Sequence, residues 1–487
     1  MLTRRAFLAT PVAASLSAQQ RRPNIIFILA DDLGWRDTSV YGSNFYETPN
    51  IDRLAARGMR FTQAYAAAPI CSPTRASILT GLYPARLGFT TPAGHLPQVI
   101  LEQTLSPKAQ PHHKALTPNS ITRLKQDYVT LAETLKSAGY RTAHFGKWHL
   151  GSEPYDALHQ GFDQDTPHFP GPGPAGGYLG GPWKFWPSQG KPGEHIEDRM
   201  AEEAERFIAA NKGGPFYVNY WAFSVHSPWQ AKPELVAKYA RKVELTDPQH
   251  NPVAGAMVES LDQAVGRLMK AVDEAGLANN TIFVFFSDNG GVFWNPGKPG
   301  MMHPEYANTP VTSNAPLRAG KATSYEGGSR EPCIVVWPGK TKPGAVSSVI
   351  IQSIDFYPTL LTMAGVAHPG HKIDGVSFVP ALEGRSHDRG PVFLHFPHYT
   401  PVTGGRPATY VRRGDWKLIR FWCDNEDQTD RFELYNLRDD LSETRNLARA
   451  NPAKVAELNT LIEGFLGGTK AVVPKPNPGY SYASRSN

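Results

Sequence analysis

The sequence predicts an α/β protein: a large domain on a central, mostly parallel sheet between helices, then a smaller C-terminal α+β domain with an antiparallel sheet. Three observations predict it. Uninterrupted apolar, branched runs at 23–30, 216–223 and 281–287 read as strands buried on both faces, as parallel sheets require. Helical stretches with good start and stop residues lie between them, at 129–138, 196–211 and 252–276. From about residue 386 the pattern shortens to strand candidates at 392–396, 409–412, 416–421 and 432–436, closed by a helix over 452–465. The expected division is 22–385 for the large domain and 386–468 for the small one. A Pro/Ser/Asn-rich tail over 469–487 is expected to be flexible.

Composition narrows the class. The chain has 487 residues, 40% of them hydrophobic, with 44 Gly and 43 Pro, which suits a globular protein with long shaped loops. The net charge of +6 is spread without a concentrated Lys/Arg run, which argues against a nucleic-acid partner and suits an anionic substrate. Three cysteines, Cys71, Cys333 and Cys423, make no disulfide framework, and a Cys333–Cys423 bridge stays open. Residues 1–18 read as a targeting segment. Arg4-Arg5 and the apolar run through Leu16 resemble a twin-arginine export signal, and Ser17 and Ala18 suit cleavage. The run is too short for a stable membrane span. An exported protein, periplasmic or extracellular, is expected.

Taken in order, the elements place reactive residues at strand ends. Asp31-Asp32 follows the first buried run, where open α/β sheets hold ligands, and adjacent carboxylates there repel unless a cation holds them. Residues 48–55 begin a helix and 61–65 a strand. The stretch 69–81 reads as a loop turning into a helix, with Ser72 as N-cap, Pro73 at the first helical position and Gly81 just past the end. Cys71 then sits at the helix mouth, where free N–H groups favour an anion, and Arg75 adds a planar cation one turn in. Taken alone, such a cysteine is more often a buried, inert residue. Residues 93–127 read as an irregular insertion, with His95 a candidate substrate contact and His112 and His113 loop residues. After a strand at 141–145, Lys147 and His149 alternate and so share a side of an extended segment. Residues 151–195 read as ordered loops, with Trp183 and Trp186 as a substrate wall. His226 follows the run at 216–223, and Asp288-Asn289 ends the run at 281–287, repeating the Asp31-Asp32 pattern. A Gly-rich segment, 316–330, carries Lys321. Further strands are expected at 334–337 and 349–351, and a structural helix from 355.

These motifs have a common resemblance. Cys71-x-Pro73-x-Arg75 followed by Leu79-Thr80-Gly81 resembles the signature of the type I, formylglycine-dependent sulfatases of the alkaline phosphatase superfamily. Gly146-Lys147-Trp148-His149 resembles their second signature, and the segment around Lys321 their Gly-rich one, with Ala319 where a second Gly is usual. The likeness covers nearly the whole mature chain and is closest in kind to arylsulfatases and N-acetylgalactosamine sulfatases. It implies an alkaline-phosphatase-like large domain. It implies that a formylglycine-generating enzyme oxidises Cys71 to an aldehyde whose hydrate is the nucleophile. A serine or cysteine attacking sulfur would form a sulfo-enzyme slow to hydrolyse. A gem-diol attacks with one hydroxyl, and deprotonating the other expels sulfate. The resemblance further implies one metal ion held by Asp31, Asp32, residue 71, Asp288 and Asn289. An oxygen set of this kind fits Ca²⁺ or Mg²⁺ rather than Zn²⁺, and calcium is the family's ion. By the same resemblance Arg75 holds the hydrate, Lys147 and Lys321 neutralise the sulfate oxygens, His226 protonates the leaving alkoxide and His149 takes the hydrate's second proton. The implied substrate is a sulfated carbohydrate, a galactose or N-acetylgalactosamine sulfate, or a small sulfate ester. Trp294, His303 and Arg406 stay open as sugar contacts. Two other readings stay open: a phosphonate or phosphodiester hydrolase of the same superfamily, and a silent metal- and glycan-binding protein.

Overall fold

The computed structural model describes residues 22–187, 190–297 and 301–481, so the targeting segment expected at 1–18 lies outside the described residues. The strands of the large sheet are β1 (Asn24–Ala30), β2 (Met59–Tyr65), β3 (Arg141–Gly146), β4 (Gln164–Thr166), β5 (Phe216–Trp221), β6 (Thr281–Ser287), β7 (Arg330–Val336), β8 (Ala345–Ser347) and β9 (Ile351–Gln352). They run in the order β8-β2-β7-β6-β1-β5-β3-β4, with β9 beside β2. The pairs β1/β5, β1/β6, β3/β5 and β3/β4 are parallel, whereas β7 is antiparallel to both β2 and β6.

The continuous apolar runs follow from burial on both faces. Ile26 and Ile28 of β1 point to a core made with helices α1 (Pro49–Arg57), α4 (Ile196–Asn211) and α5 (Pro252–Glu274). Ile25, Phe27 and Leu29 point to the opposite core, shared with α2 (Cys71–Thr80), α3 (Leu131–Ser137) and α6 (Phe356–Met363). Local chemistry sets several boundaries. Thr130 and Glu133 form a reciprocal capping box at the start of α3. Asn251 caps α5 by accepting from Val253 and Ala254 N–H. Gly81 ends α2 in the left-handed region at φ 67°, packed on Tyr357.

The C-terminal part is an antiparallel meander of β10 (Val392–Phe396), β11 (Ala408–Arg413), β12 (Trp416–Phe421) and β13 (Arg431–Asn436), backed by α7 (Pro452–Thr469). Val411, Leu418 and Leu434 pack on Leu458, Ile462 and Phe465 of α7. The opposite face, with Leu394, Tyr410, Ile419 and Tyr435, packs on Ile70, Cys71 and Ala322. A buried charge cluster joins the two parts. Lys417 Nζ lies 3.0 Å from Glu326 and 2.9 Å from Glu443, and Glu443 accepts the Glu326 N–H.

As far as residue 481 the tail departs from the flexibility expected of 469–487, and residues 482–487 lie outside the described residues. Lys475-Pro476 pairs with Ala115-Leu116, and Asn477 donates to the carbonyls of Gln110 and His113. Its order comes from contacts with a loop 364 residues away in sequence, counted from Asn477 to His113, which composition does not report. Cys71, Cys333 and Cys423 are all free thiols. Among the described residues no helix is long and apolar enough to cross a membrane.

Candidate active site

Neighbouring strand ends build the site. Ala30 pairs with Ser287 in the sheet register, so Asp31 and Asp288 leave it side by side. Trp221 pairs with Leu29 on one side and Gly146 on the other, which brings His226 and Lys147 to the same edge. Backbone bonds continue the order past the strands: Asp288 N to Ala30 O at 3.1 Å, Asp31 N to Ser224 O at 2.9 Å and Lys147 N to Trp221 O at 2.8 Å. This is the carboxyl edge, where α/β sheets bind ligands.

Helix α2 meets that edge with its first turn, and here one expectation is corrected. Ser72 is not the N-cap. Ile70 holds that position in extended conformation, and the Ser72 hydroxyl donates to the His149 carbonyl at 2.7 Å. Cys71 is the first helical residue and is buried. Lys321 arrives from the Gly-rich segment, where Lys321 N bonds Gly291 O and Ala322 N bonds Pro69 O. Lys147 and His149 both reach the site, but not as alternating residues of a strand. β3 ends at Gly146, and His149 has a left-handed backbone at φ 57°.

The charges are paired tightly. Arg75, fully buried, donates from Nε and Nη2 to Asp288 Oδ2 at 2.9 and 2.8 Å, and from Nη1 to the Lys147 carbonyl at 2.7 Å. Its Nη2 also lies 3.3 Å from Asp31. Most of its donors are therefore committed to protein groups, which makes it the tie between α2 and two strand ends. Lys147 meets Asp31 at 2.5 Å and Lys321 meets Asp32 at 2.6 Å. Burial raises the Asp31 carboxyl in spite of Lys147 and Arg75, and burial with Asp31 pushes Asp288 up to about 6. Burial would also raise Asp32, but Lys321, His226 and Lys147 overcome it and hold that carboxyl below the usual range.

Cys71 and His149 are buried as well, and His226 is mostly covered. Burial pushes the Cys71 thiol up to about 11 despite Lys147 and Lys321. Burial, then Lys147 and Lys321, bring His226 down to about 3. His226 Nδ1 lies 2.8 Å from the Ser227 carbonyl, which can only accept, so Nδ1 carries a proton and Nε2 faces the site, 3.8 Å from Asp32. Burial, Lys147 and His95 hold His149 well below its ordinary value.

The donor set fits a hard divalent cation. Asp31 Oδ1 and Asn289 Oδ1 are buried without a hydrogen-bond partner, a costly state that a cation would relieve. Ligand atoms of Asp31, Asp32, Cys71 and His226 all lie within 4.8 Å of one another. Asn289 Nδ2 donates to Asp32 Oδ1, which leaves its own oxygen free. Asp288 is the expected ligand that fits least, since Arg75 takes its Oδ2 and Asp32 N–H donates to its Oδ1.

The outlying candidates separate. His95 lies 2.8 Å from His149 Nε2, so it meets a site residue directly. Trp183 is buried in the core and stacks on Trp186 instead of facing solvent as a wall. His113 stacks on Tyr399. His303 lines an apolar cavity of about 920 Å³ with Trp229, Met302 and Tyr306. Arg406 follows a Thr400–Gly405 turn that approaches the Ala322 carbonyl, and it faces Asp424 at 3.8 Å. Sequence reasoning missed Tyr178 and Glu197. Tyr178 donates to the carbonyls of Phe223 and His226, and Glu197 accepts from Ser224 N and Tyr220 OH. The sequence carried no signal for them: a Tyr in a Gly-rich loop, and one of four Glu in a charged helix.

Comparison with known proteins agrees with this geometry. The Sulfatase family model matches residues 23–366, and a model described as N-sulphoglucosamine sulphohydrolase, C-terminal, matches 320–464. A protein named Sulfatase from Formosa agariphila is 33% identical over 92% of this chain and 89% of its own length. Human N-acetylgalactosamine-6-sulfatase is 34% identical over 78% of this chain and 69% of its own. The crystal structure of Ps i-CgsB in complex with k-i-k-neocarrahexaose superposes with a TM-score of 0.71 at 27% identity, covering 91% of this chain and 93% of that one. Sequence, fold and the crowding of carboxylates, lysines and histidines about Cys71 lead to one assignment: the chain is a sulfatase, a member of the sulfatase family of the alkaline phosphatase superfamily.

Proposed function

We propose that this sulfatase hydrolyses sulfate esters of carbohydrates, galactose or N-acetylgalactosamine sulfates foremost, with residue 71 oxidised to formylglycine. The observation that carries the reading is the gathering of Lys147, His149, His226 and Lys321 around a Cys71 whose thiol is buried. With the thiol pushed up to about 11, an unmodified Cys71 stays protonated at neutral pH and attacks poorly. The preference for sugars rests on the relatives, one named for N-acetylgalactosamine and one crystallised with neocarrahexaose.

Each side chain then has a defined task. Asp31, Asp32, Asp288 and Asn289, with residue 71, would hold a calcium or magnesium ion, calcium by family expectation, which would lower the charge on the sulfate and hydrate oxygens. Arg75 fixes residue 71 against Asp288 and the Lys147 carbonyl. Lys147 and Lys321 neutralise the equatorial sulfate oxygens. His226 delivers a proton from Nε2 to the leaving alkoxide, because Ser227 engages Nδ1. Burial first, then the two lysine charges, keep His226 neutral, and the arriving sulfate offsets the lysine part so that Nε2 can carry the proton. His149 takes the proton of the hydrate's second hydroxyl, and sulfate leaves. Maturation by a formylglycine-generating enzyme and export through residues 1–18 belong to the same reading.

The test is peptide mass spectrometry of the 69–81 stretch, paired with sulfate release. An aldehyde at residue 71, with release lost in Cys71→Ala by at least about 10³-fold, is the expected result. An intact thiol in protein that still releases sulfate would overturn the formylglycine mechanism.

A further inference from the structure

We infer that His95 is a positioning residue for His149, one that fixes which nitrogen of His149 is free to accept the hydrate proton. The inference rests on the proposed role of His149 in releasing sulfate. Its basis is a pair of rings: His95 Nδ1 and His149 Nε2 are 2.8 Å apart, with ring centroids at 5.0 Å. Two nitrogens at that distance share one proton. If His149 Nε2–H donates, His149 Nδ1 holds a lone pair and is a base. If His95 donates, His149 Nδ1 carries the hydrogen and cannot accept one.

One feature favours the first arrangement. His149 Nδ1 is buried and has no partner in the protein, and a buried lone pair tolerates that better than a buried N–H, so Nδ1 is the nitrogen left to accept a proton.

The loop that carries His95 is built to stay in place. A Cβ on Gly94 would lie 1.9 Å from the His149 carbonyl oxygen, so the two backbones touch and only glycine fits. Arg123, buried, donates to the carbonyls of Leu96 and Thr122 and braces the turn. Ser72 holds the same His149 carbonyl from the α2 side.

The step served is the second half of turnover. After the sugar alcohol has left, residue 71 bears one sulfate ester and one hydroxyl. His149 Nδ1 takes the hydroxyl proton, the O–H electron pair becomes the second C–O bond of the aldehyde, and the C–O bond to sulfate breaks with its electrons leaving on sulfate. Loss of His95 therefore slows sulfate departure and leaves the first half intact.

The experiment uses full-length protein with an aldehyde at residue 71, as wild type, His95→Leu and His95→Asn. Asn can accept from His149 Nε2 through its carbonyl, whereas Leu cannot. Rapid mixing with a sulfate ester of a chromogenic alcohol reads the alcohol burst, and intact mass reads the sulfo-enzyme. In His95→Leu, kcat falls by at least about tenfold, an alcohol burst appears and residue 71 accumulates the sulfo group, while His95→Asn recovers most of the rate. A His95→Leu protein that turns over like wild type, or slows without accumulating sulfo-enzyme, overturns the inference. A wild type with the aldehyde that releases neither alcohol nor sulfate from the ester overturns the proposed mechanism first, which separates the two failures.

Discussion

At the scale of single residues, the site is a set of proton and charge assignments that can be moved one at a time. In the proposed mechanism His226 exchanges its proton through Nε2, because the Ser227 carbonyl holds Nδ1. His226→Gln should slow release from a sugar sulfate by about 10²- to 10⁴-fold, and far less from an aryl sulfate whose leaving group needs no proton. Parallel rates on the two esters check this, and an equal loss on both would remove His226 as the acid. The orphaned oxygens of Asp31 and Asn289 make a second case. Treatment with a calcium chelator should abolish turnover and lower the thermal midpoint, with both restored by added calcium. Residue types were well marked in the sequence: Cys71, Arg75, Lys147, His149, His226, Lys321 and the Asp/Asn pairs all come to one edge of the sheet. Their partners were not marked. The commitment of Arg75 to Asp288 and to the Lys147 carbonyl, the turn of Ser72 toward His149, and the His95–His149 pair join positions 54 to 213 residues apart, and no local pattern encodes such pairs.

At the scale of elements, the catalytic edge is held by supports outside it. Tyr178 and Glu197 grip both ends of the 223–226 segment that aims His226. Tyr178→Phe removes the donor and should lower kcat on sugar sulfates by about tenfold with little change on aryl sulfates, the same selectivity as His226→Gln. The Gly-rich segment is held in turn by Lys417 of β12, between the Glu326 and Glu443 carboxylates. Lys417→Met strands two buried carboxylates and should cost about 3–5 kcal/mol in denaturant unfolding. Strands of the large sheet were readable because burial on both faces removes alternation and leaves plain apolar runs. The short strand Ala345–Ser347 and the helix Pro233–Ala240 carried too few periodic positions to be read.

At the scale of the whole molecule, the C-terminal sheet backs the candidate site, because its inner face shares a buried cluster with Ile70, Cys71 and Ala322. Buried titratable groups outside the proposed catalytic set tie its stability to pH, with opposite signs. Burial brings His398, bonded to Thr90, down to about 3. Between its unfolded value near 6.5 and that folded value the unfolded chain binds the extra proton, so this group's contribution is lost as pH falls. Relative to His398→Gln, wild type should lose about 1.4 kcal/mol of unfolding free energy per pH unit between pH 6 and 4. Burial raises Asp37 to about 6, so there the native state binds the extra proton, and wild type should lose ground to Asp37→Asn as pH rises from 4 to 6. The same scale shows where composition misleads: a tail rich in Pro and Ser docks on the 110–116 loop through Asn477.

The most direct measurement is sulfate release by ion chromatography, across defined sulfated galactosides and N-acetylgalactosaminides, using protein whose residue 71 is converted, with a phosphodiester assayed alongside. The expected result is release from a sulfated sugar at a rate well above phosphodiester cleavage. Cleavage of the phosphodiester with no sulfate released from any sugar would contradict the assignment of this site to carbohydrate sulfate esters.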